Sequence, residues 1–254
     1  MSGDPPAASP RGTVLVTGAS RGIGRECALR LAAAGYDLVL WARSAEELDE
    51  TREQAARSLT RVSVRVVDVI DAEQVAAGYA EIEATGPLAG LVLNAGSGIW
   101  QPITEISDAI WDETLATNLR SAMLILRHAL PGFRQAGGGL IVGILSDSAR
   151  FAFPGRAAYS ASKAGLAALL EVTRREVRDR GVRVSALVPS RVDTSFQGSM
   201  AVAGPGSRPG SLSATAVADV IGWLFDLPPE LEVRELQLAA LTAPFGPYEE
   251  KVST

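Results

Sequence analysis

The chain has almost no sulfur, imidazole or ammonium chemistry: its 254 residues include one cysteine, Cys27, one histidine, His128, and two lysines, Lys163 and Lys251. A lone thiol excludes an internal disulfide. A lone imidazole excludes a Ser/His/Asp triad unless His128 itself serves, and its place in the middle of a predicted helix reads as structural. No metal site is expected. The net charge of −5, with no basic patch, argues against nucleic acid as the main partner. The longest apolar stretches are broken by Arg127, Pro131 or Glu171 before they reach bilayer length. The opening MSGDPPAASP has neither the positive region nor the apolar core of a secretory leader. These absences predict a soluble, cytoplasmic protein with no membrane partner and a disordered tail over residues 1–10.

What is present is ordinary for a globular chain, 47% hydrophobic and 21% charged, and long enough to bury a large core in one α/β domain. The most informative stretch is TVLVTGASRGIG, Thr13 to Gly24. Val14-Leu15-Val16 reads as a buried strand, the glycines as a tight turn, and Ile23, Cys27 and Leu31 as the inner face of a following helix. A helix that starts on such a turn aims free N–H groups and a positive dipole end at an anion, most often a phosphate. Gly18, Gly22 and Gly24 let the backbone turn sharply and approach that ligand without a Cβ.

Asp37 to Trp41 reads as the second strand, with Arg43 at its ligand-facing end. In dinucleotide folds an acid near this point holds the ribose 2′-OH, whereas an arginine accommodates a 2′-phosphate. Asp37 starts the strand, so it lies at the opposite edge. Arg21 adds a second guanidinium, and NADP(H) is therefore favoured over NAD(H). Capping boxes at Ser44 and Asp71 open helices to about Ser58 and Thr85, with Val62 to Val67 a strand between them. Leu88 to Leu93 is a strand ending in Asn94-Ala95-Gly96. One long helix is predicted from Ser107 to about Gln135, its apolar stripe interrupted by Asn118, and its broad apolar surface suggests a subunit interface. Leu140 to Leu145 is a strand ending at Ser146, with Ser148 a rival hydroxyl.

Tyr159-Ser160-Ala161-Ser162-Lys163 opens the next helix, placing phenol and ammonium on one face at i and i+4. With four tyrosines and two lysines in the chain, that spacing is specific. A ketone that accepts hydride develops negative charge on oxygen, and a phenol can protonate it if its pKa, about 10 unperturbed, is pulled toward neutrality. Lys163 is expected to supply that pull, and a hydroxyl at the end of the preceding strand, Ser146 or Ser148, to hold the carbonyl oxygen. The helix runs to Arg180, with Glu171, Arg174, Arg175, Glu176 and Arg178 predicted as a solvated, ion-paired face. Strand Val182 to Val188 follows, then a last helix Ser213 to Leu227 and a last strand Glu232 to Leu238.

From Thr13 to Thr194 the chain resembles the short-chain dehydrogenase/reductase family, on TGASRGIG, Asn94-Ala95-Gly96 and Tyr159-x-x-x-Lys163, with Ser146 thirteen residues before the tyrosine as in that family. The resemblance implies a catalytic tetrad of Asn118, Ser146, Tyr159 and Lys163. It implies cofactor contacts at Gly18, Ser20, Arg21, Gly22, Ile23, Gly24, Arg43, Asp68, Val69, Asn94, Ala95 and Gly96, joined by Tyr159 and Lys163. Pro189, Val192 and Thr194 complete that set, although Ser190 replaces the family's glycine and a glycine-only backbone angle there would alter the loop.

The fold implied is α/β, a single Rossmann-type doubly wound parallel sheet of about seven strands flanked by helices. It spans residues 11–241, with a substrate lid over 195–211 and a tail over 242–254. Trp100, Phe151, Phe153, Phe196 and Met200 suggest an apolar substrate pocket, and Arg150, Arg156 and Arg191 are candidate anion binders. The activity implied is an NADP(H)-dependent ketoreductase, a 3-oxoacyl compound being one substrate type. Alternatives are a 3-hydroxy acid (serine-like) dehydrogenase, suggested by LPPELEVRELQL, a non-catalytic NADP(H)-binding regulatory protein, or an isomerase or dehydratase on the same scaffold. A homo-oligomer, dimer or tetramer, is implied by the resemblance alone.

Overall fold

Seven strands form one parallel sheet in a computed structural model that describes residues 11–196 and 210–242. The first half alternates β1 (Thr13–Thr17), α1 (Gly22–Ala33), β2 (Asp37–Ala42), α2 (Ala45–Ala55), β3 (Val62–Val66), α3 (Ala72–Glu83) and β4 (Leu88–Leu93). The second half continues with α4 (Asp108–Leu115), α5 (Ser121–Ala136), β5 (Gly139–Ile144), α6 (Ala157–Val177) and β6 (Val182–Pro189). Two short strands, β7 (Val192–Asp193) and β8 (Leu212–Ser213), pair with each other, and α7 (Ala214–Asp226) and β9 (Glu235–Leu238) follow. The sheet order is β3-β2-β1-β4-β5-β6-β9. The order reverses between β1 and β4, and in such sheets the crevice beyond the strands' C-terminal ends is where ligands bind.

The strands are apolar on both faces because both are covered. One core layer packs Val14, Val16, Leu38, Leu40 and Val142 against α1, α2 and α7; the other packs Leu15, Leu91, Ile141 and Val184 against α3, α5 and α6. Gly143 in β5 lets α6 approach closely: a Cβ there would lie 2.3 Å from Leu170 Cδ1. Helix starts follow their caps, Ser44 accepting from Glu47 N, Asp71 from Glu73 N and Gln74 N, and Ser213 from Ala216 N.

Several expectations need correction. The helix predicted over 107–135 is two helices joined by a wide π turn, Ala116–Arg120, which contains Asn118. Such bulges shift side-chain facing by one position and tend to occur at functional sites. The helices predicted to run to Ser58 and Arg180 end in 3-10 turns, Ala56–Ser58 and Arg178–Arg180, and the last strand starts at Glu235, not Glu232. Arg174 is not on a solvated face; only 8% of it is exposed, and it pairs with Glu171 and, at 3.8 Å, with Glu232. Ser190 does not have the left-handed backbone reserved for glycine, since Leu59 is the only such non-glycine residue among those described. Its N–H donates to Leu238 O at 2.8 Å, so the turn runs on with β9 as its anchor.

The predicted tail over 1–10 lies outside the described residues. So do Met200, all of the 195–211 stretch except Ser195, Phe196, Gly210 and Ser211, and all of 242–254 except Thr242. Among the described residues no helix is long and apolar enough to cross a membrane, and no cluster of metal-binding side chains occurs.

Candidate active site

A groove of about 350 Å³ opens beyond the C-terminal ends of β1, β2 and β4. Its floor is the β1–α1 turn, where Gly18 and Gly22 have φ of +64° and +56°, a region that side-chain-bearing residues rarely enter. Arg21 is the N-cap of α1 and its side chain makes no cap hydrogen bond, so among the described residues no side chain takes up the first N–H groups of the helix at the groove. Gly24 does not line the groove. A Cβ there would lie 2.1 Å from Gly18 O, so its lack of a side chain serves the contact between helix and turn.

Thr17 staples the floor. Its hydroxyl donates to Val92 O and accepts from Asn94 N and Ala95 N, while Asn94 Nδ2 donates to Thr17 O and Gly18 O. Asn94 is thus a brace between β1 and β4 as well as a wall of the groove. Gly18, Ser20, Arg21, Gly22, Ile23, Arg43, Asp68, Val69, Ala95, Gly96 and Thr194 all line this space. Arg21 and Arg43 are exposed and have no carboxylate partner within ion-pair distance among the described residues. Asp37, the acid set aside on topology, sits buried at the far edge and binds Arg61 at 2.8 Å.

Ala42, Ser44, Glu47, Val67, Thr117 and Ser195 also line the groove and were not among the cofactor contacts expected from the sequence. Thr117 precedes Asn118 in the π turn, and a polar pair inside an apolar stripe was the available signal. Val192 and Pro189, expected at the cofactor, lie in strands and are not among the residues that line the groove. Val192 pairs with Leu212 and packs on the core, and Pro189 pairs with Leu238.

The four tetrad residues converge beside the groove and all are buried. Asn118 Oδ1 accepts from Ser97 N at 2.8 Å, and its Nδ2 donates to Ser97 O and to Ser162 Oγ, which in turn donates to Tyr159 O. The amide is fully satisfied by structure and also lies 3.2 Å from where a Cβ on Gly96 would be. Lys163 Nζ donates to Ile144 O at 2.8 Å and lies 5.8 Å from the centre of the Tyr159 ring. Ser146 Oγ donates to Asp147 Oδ1 at 3.0 Å and accepts from Ser148 N. Ser148, the rival hydroxyl, accepts from Arg156 Nη1 at 3.3 Å.

Electrostatics correct the expected direction for the phenol. Burial pushes Tyr159 up to about 12; a hydrogen bond with Ser146 opposes this, Asp147 reinforces it, and Arg156 pulls down. Burial lowers Lys163 to about 8. Burial is the largest influence on the phenol, and Lys163 is not among the groups that shift it. Trp100 and Phe196 meet the Tyr159 ring edge-on, at 5.0 and 5.9 Å between centroids, and wall its outer side. Phe153 lies against Arg156, and Phe151 is half-buried in the same loop. Arg150 is paired with Glu235. His128 is stacked on Tyr79 and Cys27 is buried, both away from this site.

The family model described as short chain dehydrogenase matches residues 12–202. The chain is 38% identical over 188 residues to a 3-oxoacyl-[acyl-carrier-protein] reductase of Aggregatibacter actinomycetemcomitans, covering 72% of this chain and 77% of that protein. It is 32% identical over 234 residues to sulfoacetaldehyde reductase 2 of Chromohalobacter salexigens, covering 89% and 92%. Its fold matches an alcohol dehydrogenase from Thermococcus sibiricus, complexed with 5-hydroxy-NADP, with a TM-score of 0.85 and 31% identity over 91% of this chain and 97% of that one. With its sheet order, groove and tyrosine–lysine helix, the chain belongs to the short-chain dehydrogenase family, oxidoreductases that act on CH–OH and carbonyl groups.

Proposed function

We propose that this oxidoreductase is an NADP(H)-dependent ketoreductase whose proton donor is Tyr159. The observation that carries the reading is the junction of two features at one sheet edge: a phosphate-sized turn flanked by the unpaired guanidinium groups of Arg21 and Arg43, and the buried Tyr159, Ser146 and Lys163 beside it. The residues suit the dinucleotide. The free N–H groups of α1 would hold the pyrophosphate, Arg43 with Arg21 the 2′-phosphate, Asp68 and Val69 the adenine, and Asn94 to Gly96 with Thr194 the remainder. When bound, the cofactor supplies hydride to the carbonyl carbon.

The protein's part is to place and neutralise the oxygen. Ser146 turns its hydroxyl from Asp147 to the carbonyl oxygen and polarises it, and Tyr159 delivers the proton as charge builds there. Lys163 lies close enough to the ring to stabilise the phenolate left behind, and Asn118 holds the loop at Ser97 in register with Tyr159 through Ser162. Removing water around Tyr159, which Trp100 and Phe196 do, strengthens each of these interactions. The likeness to 3-oxoacyl and other ketone reductases favours a ketone over the dehydrogenase alternative. Cytoplasmic location and a homo-oligomeric assembly belong to the same proposal; the exposed Val172, in line with Ala164 and Ala168 on α6, supports the latter.

The test is loss of NADPH absorbance with a panel of ketones, 3-oxo acids and 3-oxoacyl thioesters, with Tyr159→Phe beside the wild type. The phenylalanine variant should bind NADPH normally and turn over at least about a thousandfold more slowly. Normal turnover in that variant would remove Tyr159 as the donor. NADPH binding without consumption across the panel would favour a sensor or an isomerase.

A further inference from the structure

We propose that Arg156 is the carboxylate receptor of the substrate site, so that the ketone reduced here is a short oxo acid and not its neutral ester or thioester. This rests on the ketoreductase reading above. The Arg156 guanidinium carbon stands 4.7 Å from the ring centre of Trp100 and 4.7 Å from that of Phe153. Trp100 in turn meets the Tyr159 ring at 5.0 Å, so the cation stands one aromatic ring from the phenol and one helical turn before it in sequence.

Aromatic contacts keep a guanidinium in place without using its N–H groups. Of its five donors, one makes a hydrogen bond among the described residues, from Nη1 to Ser148 Oγ. No carboxylate lies within ion-pair distance of Arg156 among the described residues, although most arginines of this chain that face acids are paired, including the neighbouring Arg150 with Glu235. Asp147, the acid that acts on Tyr159, is engaged by the Ser146 hydroxyl. The donors that remain lie in the guanidinium plane, where they match the two oxygens of a carboxylate, and the flanking rings reduce competition from water. The backbone fixes the position as well: Gln101 N donates to Gly155 O at 2.8 Å and Gln101 bridges to Arg156, tying the Trp100 loop to the start of α6. One ring's separation from Tyr159 suits a carboxylate only a few atoms from the reacting carbonyl.

Acetoacetate and ethyl acetoacetate present the same ketone with and without the anion. Wild type should show a lower KM for the acid, and Arg156→Gln should raise that KM about 10- to 100-fold relative to the KM for ethyl acetoacetate, while any change in kcat through Tyr159 is shared by both substrates. Arg156→Lys, which keeps the charge but not the planar fork, should fall between. Malonate, which cannot be reduced, should inhibit wild type competitively and lose about the same factor in Arg156→Gln. Equal losses for acid and ester would make Arg156 a structural clamp and overturn the proposal. Reduction of esters or thioesters in preference to acids would overturn it while leaving the ketoreductase reading intact. No NADPH consumption with any ketone would remove both.

Discussion

The two ends of the groove hold charge in opposite ways. At the nucleotide end Arg21 and Arg43 are exposed, and the groove there is built from backbone: two left-handed glycines, a helix N-terminus and a strand-to-strand staple at Thr17. At the catalytic end Lys163 and Tyr159 are 4% and 8% exposed, and every polar atom that positions them belongs to a specific partner such as Ile144 O or Ser162 Oγ. Exposed cations attract an anion at little folding cost but with modest, salt-screened strength. Buried ones cost stability and in return have shifted pKa values near working pH. On the function proposed here, the molecule recognises its cofactor by geometry and carries out its chemistry by desolvation.

Lys163→Met should break this contrast most sharply. Turnover should fall at least about a hundredfold while NADPH still binds at the nucleotide end. Stability should reveal the burial cost. The unfolded lysine titrates near 10.5 and the buried one near 8, so between those values the unfolded state holds the extra proton and wild-type stability climbs with pH. Below pH 8 the penalty is fully present. Urea unfolding of both chains from pH 7 to pH 10 should show wild type gaining about 2 kcal/mol on the variant; parallel curves would mean the ammonium is not desolvated.

Asn118→Leu comes next. It leaves the N–H and C=O of Ser97 unpaired and should cost about 2–3 kcal/mol in urea unfolding. Lost turnover at unchanged stability would instead assign the amide to the reaction and not to the loop. The smallest effect is at the exposed end. Arg43→Ala should weaken NADPH about tenfold in a fluorescence titration and leave NADH within about twofold, and added salt should narrow the difference. Equal loss for both cofactors would remove Arg43 from the 2′-phosphate.

The nucleotide end was the more legible of the two in sequence. Gly18, Gly22, Arg43 and Asn94 act through local geometry, a turn or a strand end, and their spacing alone brings them to the groove. Tyr159 and Lys163 were legible for the same reason, as neighbours on one helix face. Their energetics were not, because the direction of the tyrosine shift depends on Trp100, Phe196 and the packing of α6 on β5, which are remote in sequence. Asn118 stood out as an interruption of a stripe, but the π turn that explains it could not be read from residue periodicity. Arg174 was misplaced because its burial depends on Glu232, 58 residues away, in the approach to β9.

The sequence by itself determined the order of strands and helices, the anion-binding turn and the tyrosine–lysine pair, since each is written in periodicity, glycine placement or i, i+4 spacing within a few consecutive residues. Tertiary structure alone decided which charges are buried, which arginine beside the phenol has no carboxylate partner among the described residues and which glycine serves packing instead of ligand. Those properties arise from what the rest of the chain excludes, water and competing carboxylates, and exclusion is a property of the assembled fold.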